Sequence, residues 1–130
     1  MEREDLEART AAFAVAIFEL ANAARDKPGG RRPADQLLDC ATSIGANYRA
    51  SARARSRDEF IAKLGIVNEE ADEAVYWLQF VQSTKLADEA KVSDLLAESK
   101  ELRSIFAASC RTAKRNHRGG NRGDKGRGRS

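Results

Sequence analysis

The stretch from Ser56 to Ser83, SRDEFIAKLGIVNEEADEAVYWLQFVQS, constrains the fold more than any other part of the chain. It contains no proline and opens with Ser56 followed three residues on by Glu59. In that S-x-x-E pattern the serine caps free N–H groups at a helix start and the glutamate reaches back. Phe60, Leu64, Val67, Ala71, Val75, Leu78 and Val81 then recur at steps of three and four, which places them on one stripe of a helix. Such a stripe must be covered by other elements. Toward the end of the stretch the apolar band widens to AVYWLQFV, residues 74–81. One seam cannot cover all of these side chains, so Val75, Tyr76, Trp77 and Phe80 are expected to meet another subunit.

The same periodicity recurs on both sides. Leu6, Thr10, Phe13, Ile17, Leu20 and Ala24 alternate steps of four and three, predicting a first helix from about Arg3 to Asp26, with Val15, Phe18 and Ala21 widening its face. KPGGRRP, residues 27–33, ends that helix. Pro28 cannot continue it, the glycine pair supplies positive φ, and Pro33 suits the first turn of the next helix. Leu37, Ala41, Ile44 and Tyr48 mark a second helix from Pro33 to about Ala52. Gly45 and Gly65 fall inside helices, where glycine costs roughly 1 kcal/mol against alanine. Each is either a place of close backbone packing or a tolerated surface position. After TKLADEA, Asp88 is the expected cap of a fourth helix reaching about Lys114, with Val92, Leu95, Leu96, Leu102, Ile105, Phe106 and Cys110 inward.

Both prolines lie in one turn, and no alternating apolar run supports a strand. The reading is all-α: an antiparallel up-down-up-down four-helix bundle over residues 1–115, with helix 1 beside helices 2 and 4. A disordered basic tail occupies 116–130, where glycine and charge leave no apolar anchor. No run of about 18 apolar residues spans a membrane. The acidic start MEREDLEART is unlike a signal peptide, so a cytosolic chain is expected, with Cys40 and Cys110 reduced and buried rather than paired.

Charge is divided along the chain. Arg111, Lys114, Arg115, Arg118, Arg122, Lys125, Arg127 and Arg129 stand against Asp124 alone, a local charge of +7. That leaves −4 for residues 1–110 of a chain whose formal charge is +3. A second basic cluster, Arg49, Arg53, Arg55 and Arg57, joins helices 2 and 3. It is either solvated surface or an anion site supported by the N–H groups that open helix 3. The tail arginines and lysines suit weak, salt-sensitive, sequence-tolerant contact with RNA phosphates, or they only solubilise the chain.

The run Gln36-Leu37 … Ser43-Ile44-Gly45-Ala46-Asn47-Tyr48-Arg49-Ala50, followed by Ser56-Arg57-Asp58-Glu59-Phe60, resembles the "four helix bundle protein" family. These are small proteins encoded by intervening sequences in bacterial 23S ribosomal RNA genes, once called S23 ribosomal proteins. Lys63-Leu64-Gly65-Ile66 … Glu69-Glu70-Ala71-Asp72-Glu73 … Tyr76-Trp77-Leu78 is similar to that family's third helix. The resemblance spans most of residues 10–114 and implies a ring-like homopentamer. A related branch, the accessory proteins of diversity-generating retroelements, works with a reverse transcriptase and nucleic acid.

No catalytic constellation emerges. Glu69, Glu70, Asp72 and Glu73 are acidic, but a di-metal bundle needs Glu-x-x-His on facing helices. The one histidine, His117, lies beyond the bundle helices. No metal, cofactor or catalytic residue is expected. Asn47 is either a buried polar residue fixing helix register or a ligand contact. The alternative to RNA binding is a protein-interaction scaffold, its partner meeting the ring or the acidic face.

Overall fold

The structure, a computed structural model, describes residues 2–128, with side chains described through His117. Among the described residues there are four helices and no strand: α1 (Arg3–Arg25), α2 (Arg31–Ser51), α3 (Arg57–Thr84) and α4 (Glu89–Gly128). They form the expected up-down-up-down bundle. α1 packs on α2, α2 on α3 and α3 on α4, while α1 closes only thinly against α4. Arg9 straps that seam. Its guanidinium donates to both carboxylate oxygens of Glu98, at 2.7 and 2.6 Å, and lies 2.9 Å from Glu101. No described helix is long and apolar enough to cross a membrane. α4 runs past the expected end near Lys114 to Gly128, so the expected tail, 116–130, begins within this helix, and its side chains beyond His117 lie outside the described set.

The periodic stripes form the core. Leu6, Thr10, Phe13, Ile17, Leu20 and Ala24 are all buried, as are Leu37, Ala41, Ile44 and Tyr48 and, on α3, Leu64 through Val81. Phe60 is half-buried at the edge. Thr10 is tolerated inside because its hydroxyl donates to the Leu6 carbonyl at 2.9 Å, satisfying a group that would otherwise be costly to bury. Val15 and Phe18 do not widen the buried face; they are 60% and 50% exposed. At about 100° per residue they sit across the helix from the seam. Cys40 and Cys110 are buried free thiols.

Helix ends follow local chemistry, with some changes from expectation. Ser56 Oγ accepts from the Glu59 N–H at 3.0 Å, but Glu59 Oε2 accepts from the N–H of Arg55, at 3.2 Å, rather than of Ser56. Asp88 Oδ2 accepts from the Lys91 N–H at 3.1 Å, capping α4. α2 begins at Arg31, so Pro33 is its third residue and not its first. Between α3 and α4 the chain turns without glycine. Lys85 takes the left-handed conformation (φ 58°), and the Leu86 N–H donates to the Val81 carbonyl at 3.2 Å.

The glycines divide by cause. Among the described glycines only Gly29 has positive φ, at 78°. Gly30 is required for space, since a Cβ there would lie 1.8 Å from the Ala24 carbonyl oxygen. A Cβ on Gly45 would meet Thr10 Oγ1 at 3.7 Å, an ordinary contact that places α1 and α2 close together. Gly65 faces open space, with nothing within 4 Å of its Cβ position. Gly30→Ala is therefore expected to destabilise the bundle by about 1–3 kcal/mol, because a backbone carbonyl must move. Gly65→Ala is expected to stabilise it by about 0.5–1 kcal/mol through helix propensity alone. Urea midpoints moving in opposite directions would bear this out; a shared direction would refute the spatial account of Gly30.

Candidate nucleic-acid interface

Topology decides which charges meet. In an up-down-up-down bundle the α2–α3 connection, the start of α1 and the end of the α4 bundle segment share one end. His117 Nε2 on α4 lies 2.8 Å from Asp58 Oδ1 at the start of α3, which locates that convergence. Arg49, Arg53, Arg55 and Arg57 are all exposed there, and so are Arg111, Lys114 and Arg115 on α4. Arg118, Arg122, Lys125, Arg127 and Arg129 lie outside the described side chains.

Two depressions receive the inter-helix arginines. Arg49 and Arg53 edge a groove between α1 and α2 whose floor is small, including Ala11, Gly45 and Ala46, with Glu4 and Glu7 at the same groove. Arg55 and Arg57 line a second depression with Arg3, Ser51, Ser56 and Phe60. The Arg57 guanidinium carbon lies 5.8 Å from the centre of the Phe60 ring, and that of Arg3 lies 5.3 Å from the centre of the Tyr48 ring. Arg3 Nη1 is buried and has no hydrogen-bond partner among the described residues. A buried donor left unpaired costs about 1–3 kcal/mol, and more when charged. Sequence reading did not join Arg3 to this cluster, because no local pattern links the first turn of α1 to the start of α3.

The residues expected at a subunit interface separate. Val75 is only 2% exposed and belongs to the monomer core, which corrects its assignment to an interface. Helical spacing turns it inward with Leu78 and Ala71, whereas Tyr76 and Phe80 are 57% and 38% exposed on the outer side. Half-buried Trp77 contacts both edge-on, with ring centres 5.1 Å from Tyr76 and 5.7 Å from Phe80. Ile66 continues this outer stripe, and Val15 and Phe18 form a separate one on α1.

Asn47 bonds within its own helix, Nδ2 donating to the Ser43 carbonyl and hydroxyl at 3.0 Å each, and not to another helix among the described residues. The acidic run holds one arrangement that sequence reading did not anticipate. Cys40 on α2 meets Glu70 and Glu73 on α3, their ligand atoms within 4.8 Å of one another. Burial, and then the charges of Glu73 and Glu70, push the Cys40 thiol well above its ordinary range. Burial, and then Glu73, raise the Glu70 carboxyl, while its hydrogen bond with Cys40 opposes the rise. The thiol therefore stays protonated near neutrality and is a poor nucleophile.

The fold is shared with a crystal structure of a protein of unknown function from the S23 ribosomal protein family of Bacteroides thetaiotaomicron VPI-5482. The two chains are 29% identical, superpose with a TM-score of 0.78, and match over 85% of this chain and 99% of that one. No functionally curated protein matches the sequence. Residues 4–108 match the 23S rRNA-intervening sequence protein family, and the chain belongs to that family.

Proposed function

We propose that this chain is a non-enzymatic, self-associating bundle that binds RNA weakly and without sequence preference through its basic end. The observation that carries the reading is the convergence of Arg49–Arg57 with the end of α4, marked by the 2.8 Å approach of His117 to Asp58. Cations gathered at one end release counterions from a phosphate backbone together, and Lys and Arg do so without reading bases. The expected result is anisotropy of a labelled single-stranded RNA that rises with protein at roughly 50 mM salt and is lost by roughly 300 mM. Binding that is absent at low salt, or unchanged at high salt, would overturn the RNA reading and leave the scaffold reading in its place.

Self-association is supported by two outward apolar stripes, Tyr76, Trp77 and Phe80 on α3 and Val15 and Phe18 on α1. Closed rings are built from head-to-tail contacts between two different faces, and these stripes supply two. A homopentamer is the assembly proposed, in which five tails would raise avidity for one strand. Light scattering after size exclusion tests it; a monomer at all concentrations would remove the assembly.

A further inference from the structure

The depression shared by α1 and α3 has the chemistry of an oxyanion pocket. It is an open depression of about 380 Å³ lined by three arginines, Arg3, Arg55 and Arg57. Arg9, Arg25 and Arg103 each hold a carboxylate elsewhere in the bundle. Among the described residues Arg3, Arg55 and Arg57 have none within 4.0 Å, and Arg3 Nη1 is buried without a partner. The acidic neighbours at the start of α3 are engaged, Asp58 beside His117 at 2.8 Å and Glu59 accepting from the Arg55 N–H at 3.2 Å. Ser56 takes the N–H of Glu59. Those of Arg57 and Asp58, at the positive end of a 28-residue helix, have no intrahelical acceptor. The Tyr48 and Phe60 rings lie against two of the guanidinium groups and limit the orientations they sample.

We propose that this pocket binds one phosphate group, held by Arg3, Arg55 and Arg57, and that it seats a backbone phosphate of the RNA strand. The source of the phosphate rests on the RNA reading above; the pocket itself does not. Three forked guanidinium donors match the several acceptor oxygens of a phosphate better than the two of a carboxylate.

The test uses the full chain with Arg3→Gln, Arg57→Gln and the double variant. The control is Arg31→Gln with Arg32→Gln, at the opposite end of the bundle. Circular dichroism checks the fold of each, and Arg57→Gln, an exposed change, stands in if Arg3→Gln unfolds. Two probes are titrated: a labelled single-stranded RNA across salt, and inorganic phosphate followed by its ³¹P linewidth. The expected result is RNA affinity about tenfold weaker in the double variant, with a salt slope lower by about 1 and the control nearly unchanged. Phosphate broadening by the unmodified chain should disappear in the same variant. RNA weakening without phosphate broadening supports a pocket that takes phosphate only within a strand. Phosphate broadening that the variants abolish, in a chain that binds no RNA, keeps the pocket and removes RNA as its source. RNA binding that the double variant leaves intact, with no phosphate broadening, overturns the pocket and leaves RNA binding to the tail. A chain that binds neither probe overturns both.

Discussion

Replacing Phe106 by alanine is expected to cost the bundle about 3–5 kcal/mol. Phe106 is fully buried on α4, and its ring centre lies 5.3 Å from that of Tyr48 on α2. α2 and α4 are diagonal partners, so this ring fills the middle of the bundle, where no neighbour can close in without drawing two helices together. The loss combines the transfer energy of the ring with the cavity left behind. Against a domain stability of about 5–15 kcal/mol it is a large fraction. Urea unfolding should show a lower midpoint at unchanged slope, with Ser104→Ala, on the exposed side of the same turn, within about 0.5 kcal/mol of the unmodified protein. Measurements at several protein concentrations separate this effect from dissociation of an assembly. A loss below about 1 kcal/mol would mean that α4 does not pack in this register. The effect should also reach the basic end, since Tyr48 supports the Arg3 guanidinium.

Deleting residues 116–130 is expected to abolish most RNA binding. The segment carries Arg118, Arg122, Lys125, Arg127 and Arg129 against Asp124 alone. If each of the five cations neutralises one phosphate of a single strand, the slope of log affinity against log salt should fall by about 3.5. The loss should be the same for unrelated sequences, because Lys and Arg at phosphates carry no base information. Stability should hardly move, as Ala113 is the last buried residue of α4 among the described side chains and the deleted His117 pairs with the exposed Asp58. RNA affinity unchanged by the deletion would rule out the tail and leave the bundle's own arginines as the contact. The deletion and the pocket substitutions remove different cations, but the deletion also takes away His117 and so releases Asp58 at the start of α3, and the two effects are therefore coupled.

Much of the fold was legible because helical periodicity is a local property. The stripe from Leu64 to Val81 needs only its own spacing to identify the inward side, and the caps at Ser56 and Asp88 need only residues within one turn. The band AVYWLQFV was legible as too wide for one seam but was not divided correctly. Val75 went inward and Tyr76 outward, because neighbours on either side of α3 cover one part of its circumference and leave the rest. Val15 and Phe18 show the converse failure. Their hydrophobicity argued for burial, but their angular position opposite the seam argued against it, and position prevailed. Gly30 was read as a source of positive φ, whereas the constraint is the Ala24 carbonyl, which comes close only once the turn has formed.

The candidate interface was legible in half. Two basic segments could be read from charge runs, but their meeting at one end of the bundle is shown by the packed helices, where His117 reaches Asp58. Arg3 could not be read, since a lone arginine among acidic residues carries no signal of its own. The Cys40, Glu70 and Glu73 group was hidden for the same reason.

By itself the sequence determined that four amphipathic helices fold back on one another and that positive charge collects in two segments. Both follow from spacing and composition along a single chain. Tertiary structure alone decided which apolar residues remain outside, which glycine needs its missing side chain, and that Arg3 joins Arg55 and Arg57 at the start of α3. These depend on distances between residues remote in sequence, which are set only when the helices pack.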